Sequence, residues 1–386
     1  MLKNLYIIFL IFFLFIGLFF NYSHRAKKRN YSDFRVYYST SKHFLLKEDI
    51  YSRPDISITP FKYSPCFAFC FSWLGLFSID TAAKIFFVIN FLSIIFIFFI
   101  LKKFIVKEPL SKKFLLYFLS SIFVFRFILQ VLHSGQITII MFLLSLLSLY
   151  FMDNKILLSA FFLSLSIMFK YTPIIFLVYF LFRKRIKFAI FVFLFLIFFS
   201  ILPAIYVGID KQIFYLKKWL PYIINTSLDK GSFFDIKNQS LYSFILRIKP
   251  INLNFEYAIL FSILIVFFIF FFTIIKENKY IDYSVIFILM ALLNPNAWLS
   301  NFSFLLFPYF FLTYYLIKTN FKDKITFILI IISFILSSFT SQDIVGNTLE
   351  DLFLKNSTIT ISSLILVLVL LRLKFKNVSI SNNSSL

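Results

Sequence analysis

The sequence predicts an all-α, polytopic membrane protein of about eleven to twelve spanning helices, and three observations carry that prediction. Hydrophobic residues fill 61% of the 386 positions. Charged residues fill only 15%, where a soluble domain carries roughly 25%. Cutting the chain at its charges leaves apolar runs of roughly 15 to 22 residues, the length a helix needs to cross a hydrocarbon core.

Taken in order, the first span falls near 4–20. The following Asn21-Tyr-Ser-His24 offers no small-residue cleavage site, so an uncleaved span is expected rather than a signal peptide. A polar stretch over 21–63 comes next, read as a structured first outer loop. The run Ser64–Ser78 is apolar, but counting it as a crossing would put Lys102, Lys103, Lys107, Lys112 and Lys113 outside, so it is expected to lie near the outer face. Further spans follow near 82–101, 114–131, 137–152, 156–169, 174–182, 188–206, 254–275, 283–297, 301–317, 325–339 and 359–372. The run 174–182 is too short to cross alone, and the break at Tyr171-Thr-Pro173 suggests that it continues the helix before it. Residues 1–376 read as one membrane domain, and 377–386 as a disordered cytoplasmic tail. No internal repeat of the transporter kind is visible.

Lys and Arg number 39 against 17 Asp and Glu, a net charge of +22. In a nucleic-acid binder such charge would lie on a solvated polar face. Here the basic residues punctuate apolar runs, so they set topology and attract anionic head groups. With the N-terminus inside, the basic clusters fall inside, while the turns at 132–136 and 294–300 carry no Lys or Arg. The loop 21–63 disagrees with nine basic residues on the outer side, which are read as serving a ligand. Cys66 and Cys70 read as packing residues, and three scattered histidines assemble no metal site. Neither metal nor cofactor is expected, although Glu48, Asp49 and Asp55 with Asp33 offer carboxylates for a divalent ion. Arg126 is a lone charge deep in a span, a kind of residue that is usually paired or functional.

Polar residues gather at one side of this arrangement: Asp33 and Arg35, His133-Ser-Gly-Gln136, Lys170-Tyr-Thr-Pro173, Asn238-Gln-Ser240 and Asn294-Pro-Asn-Ala-Trp298. Each alone could be an interfacial anchor. Together they suggest one outward-facing site. The ordered set Ser32-Asp-Phe-Arg-Val-Tyr-Tyr38, Ile50-Tyr51, Phe61-Lys-Tyr-Ser-Pro65, Gly135-Gln-Ile-Thr138, Lys170-Tyr-Thr-Pro173, Asn238-Gln-Ser240 and Asn294-Pro-Asn-Ala-Trp298 resembles glycosyltransferase family 87. The resemblance runs over residues 31–310, and it departs at Leu46-Lys-Glu-Asp49, where many relatives have a glycine, and at Ser300-Asn301, where relatives often show histidine. It implies a GT-C-like helical bundle in a bacterial cytoplasmic membrane that transfers a sugar, mannose by default, from a polyprenyl-phosphate donor to a lipid or glycan acceptor.

Such a transfer needs a base for the acceptor hydroxyl and positive groups where phosphate charge develops. Asp33 suits the first task, unless it only pairs with Arg35 or Arg29. Arg35, Lys62 and Lys170 suit the second, although Lys170 could also snorkel from its helix end. The amides of Gln136, Asn238, Gln239 and Asn294, with Trp298, suit sugar or acceptor binding, or else tie helix ends. The expected partners are the donor, the acceptor and membrane lipids, with no nucleic acid. The alternative is a transporter or flippase of a lipid-linked or anionic solute.

Overall fold

The computed structural model describes residues 16–19, 22, 31–52, 61–107, 110–227, 230–248 and 255–376. Most of the expected first span, Arg29, Asp55 and the tail 377–386 lie outside the described residues.

The polar stretch folds as helix α1, Ser32–Leu45. Ser64 then opens α2, Pro65–Phe71, by accepting the Phe67 N–H on its hydroxyl, with proline at the first helical position. A 3-10 turn extends α2 to Leu76, still too short to cross. Its two thiols are free, with the Cys66 and Cys70 sulfurs 4.0 Å apart. The apolar runs give α3 (Ile79–Ile105), α4 (Lys113–Ser134), α5 (Thr138–Phe151), α6 (Ile156–Phe169), α7 (Ile174–Phe182) and α8 (Ile186–Ile201). An amphipathic helix, α9 (Ile209–Ser227), and a short one, α10 (Leu241–Arg247), precede α11 (Phe255–Ile275) and α12 (Lys279–Leu292). The chain ends with α13 (Leu306–Lys318), α14 (Lys324–Phe334) running into a π-turn at Ile335–Phe339, α15 (Asn347–Lys355) and α16 (Thr358–Phe375). No strand occurs among the described residues.

Among the described residues, six helical segments are long and apolar enough to cross a membrane: Ile79–Ile105, Lys113–Ser134, Ile186–Val207, Phe255–Ile275, Leu299–Lys318 and Thr358–Phe375. The chain is an all-α, multi-pass membrane protein. Leu299–Lys318 is buried along all but its ends and forms the centre, whereas Phe255–Ile275 is mostly unburied and faces outward. The remaining expected spans are shorter helices packed among these.

Helix α7 does not continue α6. Lys170 is extended (φ −160°, ψ 132°), and Arg185, just past α7, lies 4.0 Å from Asp153, just before α6. The chain therefore reverses at Tyr171-Thr-Pro173, because an extended residue followed by proline breaks the helical path without a shared axis. The reversal brings Lys155, Arg183 and Arg185 to one end of the bundle. There Lys279 also pairs with Asp153 at 2.5 Å, Arg183 with Asp282 at 2.7 Å and Arg372 with Asp323 at 2.9 Å. The polar islands lie at the opposite end.

Candidate active site above the short helices

Helices α5, α6 and α12 have 14 residues each, about 21 Å at 1.5 Å per residue, against a hydrocarbon core of about 30 Å. Gln136 precedes α5, Lys170 follows α6 and Asn294 follows α12. These ends stop short together and floor a recess of about 140 Å³, roughly the room that admits a single six-membered ring. Asp33, Val36 and Tyr37 of α1, Lys62 and Tyr63, and Trp219 and Ile223 of α9 complete its lining.

A glycine sets the position of Asp33. Gly135 ends α4 in the left-handed region (φ 66°), donating to Val131 O, and a Cβ there would sit 2.7 Å from Cβ of Phe34. Only glycine allows both the turn and the approach of α1. Phe34 on Gly135 brings its neighbour Asp33 onto Gln136, whose Nε2 donates to Asp33 Oδ2 at 2.6 Å. Tyr37, one turn on, donates to Gln136 Oε1 at 3.2 Å and shares a hydrogen bond with the Tyr63 hydroxyl at 2.7 Å. One carboxylate oxygen is thus fixed by a chain of side chains crossing three segments.

Across the recess, Lys170 Nζ donates to Asn301 Oδ1 at 2.7 Å, and Asn301 Nδ2 donates to Asn296 O at 3.0 Å. Asn294 Nδ2 and Asn296 Oδ1, both on side chains lining the recess, have no hydrogen-bond partner among the described residues. Neither Asp33 nor Lys170 belongs to a spanning helix. Burial pushes the Asp33 carboxyl above its ordinary range, opposed by the Gln136 hydrogen bond, the Lys170 charge and Ser134. Burial pushes Lys170 down to about 8, with Asp33 opposing and Lys62 adding to the shift. The recess thus joins a carboxylate poised to take a proton to two ammonium groups suited to an anion.

Asp33, Lys62, Gln136, Lys170, Asn294 and Trp298 line this one recess. Arg35, Asn238 and Gln239 do not. Arg35 is exposed, because two residues along a helix turn a side chain about 200° away from Asp33. Asn238 is buried in a knot of its own: Nδ2 donates to Ser232 O (2.9 Å) and Pro295 O (2.7 Å), while Oδ1 accepts from the N–H groups of Ser240 (3.0 Å) and Ala297 (3.1 Å). Gln239 Nε2 donates to Ile236 O and Leu354 O. Of the loop carboxylates, Asp49 pairs with Lys218 and Glu48 with His43, at 2.5 Å for the latter. Tyr37, Tyr63, Trp219, Asn296 and Asn301 also belong to the site or its support. Tyr37 was readable as the i+4 neighbour of Asp33 on a helix. Trp219 carries no such signal, and Asn301 stood out only as part of the departure at Ser300-Asn301.

The profile of glycosyltransferase family 87 matches residues 61–299, more than half of the chain. The matched stretch holds Lys62, Gln136, Lys170, Asn294 and Trp298; Asp33 and Asn301 fall outside it. No curated protein and no solved structure matches the chain. A multi-pass helical bundle whose recess is furnished from that stretch, matched by that profile, belongs to glycosyltransferase family 87.

Proposed function

We propose that this membrane glycosyltransferase takes a sugar, mannose by the family resemblance, from a polyprenyl-phosphate donor and passes it to a lipid or glycan acceptor at the outer face of the cytoplasmic membrane. The observation that carries the reading is the single recess holding Asp33 opposite Lys62 and Lys170. Asp33 takes the proton of the acceptor hydroxyl while the acceptor oxygen bonds to the anomeric carbon. The bond from that carbon to the phosphate oxygen breaks, with inversion, and the polyprenyl phosphate leaves carrying the electron pair. Lys62 and Lys170 stabilise the charge that develops on it. Gln136, held by Tyr37, orients Asp33; Asn294, Asn296 and Trp298 are placed to meet the sugar. The donor phosphate favours this recess because two ammonium groups face one carboxylate there.

The test is Asp33→Asn, which keeps size and the Gln136 contact but cannot accept a proton. Turnover of purified protein in nanodiscs, with polyprenyl-phosphate mannose as donor, should fall roughly a hundredfold or more. Donor binding should survive. Asp33→Glu, with its carboxylate displaced by about 1 Å, should recover only part of the rate. Transfer by the Asn variant at the parent rate overturns the role of Asp33.

A further inference from the structure

A second cavity, of about 440 Å³, is lined by chain neighbours of residues that line the recess. It falls within the roughly 300 to 1,000 Å³ of ordinary small-molecule sites. Trp298 lines the recess and Leu299 the second cavity, while Gln136 and His133, three residues apart at the end of α4, divide in the same way.

The floor of this cavity is Arg126, on the membrane-spanning α4. Its guanidinium donates to Ser337 O at 2.9 Å and Thr340 Oγ1 at 3.0 Å and pairs with Glu350. The acceptor carbonyl at Ser337 lies in the π-turn Ile335–Phe339, the type of helix irregularity that recurs at functional sites. Arg126, read from the sequence as a lone deep charge, is thus paired, and it ties three segments around a cavity.

The lining divides into two kinds. Phe125, Phe339 and Ile344 are exposed to the surroundings of the bundle and give an apolar entrance. Gln130, half-buried, and Gln342 and Asp343, both exposed, give amide and carboxylate groups, with Asp343 in electrostatic reach of Arg126. With one guanidinium against the two carboxylates of Asp343 and Glu350, the formal charge is opposite in sign to that of the recess. Such a site repels a phosphate. Amides, carboxylates and phenyl faces together suit hydroxyl groups and the apolar faces of sugar rings.

We propose that this cavity binds an amphiphile with an uncharged, hydroxyl-bearing head, a glycolipid in chemical class, entering sideways from the bilayer between Phe125 and Phe339. Resting on the glycosyl-transfer reading, its place beside the recess makes it the subsite that holds the acceptor while its terminal hydroxyl reaches toward Asp33. The phosphate donor and the uncharged acceptor are then sorted by charge before they meet.

The experiment uses the full chain in nanodiscs and a photoreactive alkyl glucoside with its diazirine beside the head. Labelling should fall on peptides from 113–134 and 335–350. Dodecyl maltoside should compete at least fivefold better than dodecanol or dodecyl phosphate. Gln130→Leu combined with Asp343→Leu, removing hydrogen bonds worth a few-fold each, should weaken glucoside labelling about tenfold. Equal competition by dodecanol would reduce the cavity to a bare apolar groove and overturn the proposal; so would preference for dodecyl phosphate, or labelling elsewhere. Labelling needs no turnover, so Asp33→Asn should label like the parent. Loss of this site and loss of the transfer reading are therefore separate outcomes.

Discussion

Two polar islands that look alike in the sequence, Gly135-Gln136 and Asn238-Gln239, do opposite work in the fold. Each places a side-chain amide at the cavity end of the bundle. Asn238 has all four of its amide valences committed to backbone groups of two loops, and Arg247 Nη2 donates to its carbonyl at 2.6 Å. It is a knot that fixes the Asn294–Trp298 turn. Gln136 instead hands its hydrogen bonds to other side chains, a carboxylate and a tyrosine, beside open space. An amide that closes on backbone ties the fold together; an amide that closes on a titratable group in a cavity is placed where the proposed chemistry would need it.

The largest effect that sharpens this contrast is expected at Lys170, on the cavity side of it. Lys170→Met keeps the apolar stem and removes the charge. A charge-assisted bond to phosphate contributes about 1.5 to 3 kcal/mol, so donor affinity should fall roughly 10- to 150-fold with the fold intact. Titration of polyprenyl phosphate in nanodiscs measures this. Unchanged affinity would return Lys170 to the role of a lysine snorkelling from its helix end and would leave the recess without its strongest anion contact.

Asn238→Ala probes the other island. It strips partners from two buried N–H groups and two carbonyls, a loss of about 3 kcal/mol in stability. Thermal unfolding in detergent should come at lower temperature, while turnover per folded molecule below that transition stays near the parent value. If turnover drops and stability does not, Asn238 contacts substrate and the contrast fails.

The comparison also marks what was legible in the sequence. The apolar helices were, because apolar runs between charges depend on local composition alone, but only six of the described ones are long enough to cross, against the eleven to twelve spans expected. Their depth was not: α6 and α7 look like parts of one broken helix until Arg185 meets Asp153, a contact between residues far apart in the chain. Asp33, Lys62, Gln136 and Lys170 were legible as polar residues spared in an apolar chain. Arg35 was misplaced with them because the sequence reading took the segment for a loop; once it is a helix, periodicity sends Arg35 to the far side and brings Tyr37 in. Asn238 and Asn294 could not be told apart in advance, since the difference lies in which partners the fold supplies.

The smallest expected effect is on pH dependence, and it tests whether the two charged groups of the recess act together. The free-enzyme profile, kcat/KM against pH, should be bell-shaped. As pH falls, activity is lost through a carboxyl held above the ordinary Asp range by burial. As pH rises, it is lost through Lys170, which burial has lowered to about 8. One unit above that value the charged fraction is about a tenth, so kcat/KM should drop about tenfold by pH 9. Lys170→Arg carries a guanidinium that stays charged throughout this range, so the variant should lose the alkaline limb even if its plateau is lower. Asn238→Ala should keep both limbs, because that island holds no titrating partner at its amide. A flat parent profile between pH 7 and 9 would show that Lys170 keeps its proton without help from substrate, and that the pairing of Asp33 with Lys170 does not govern the reaction.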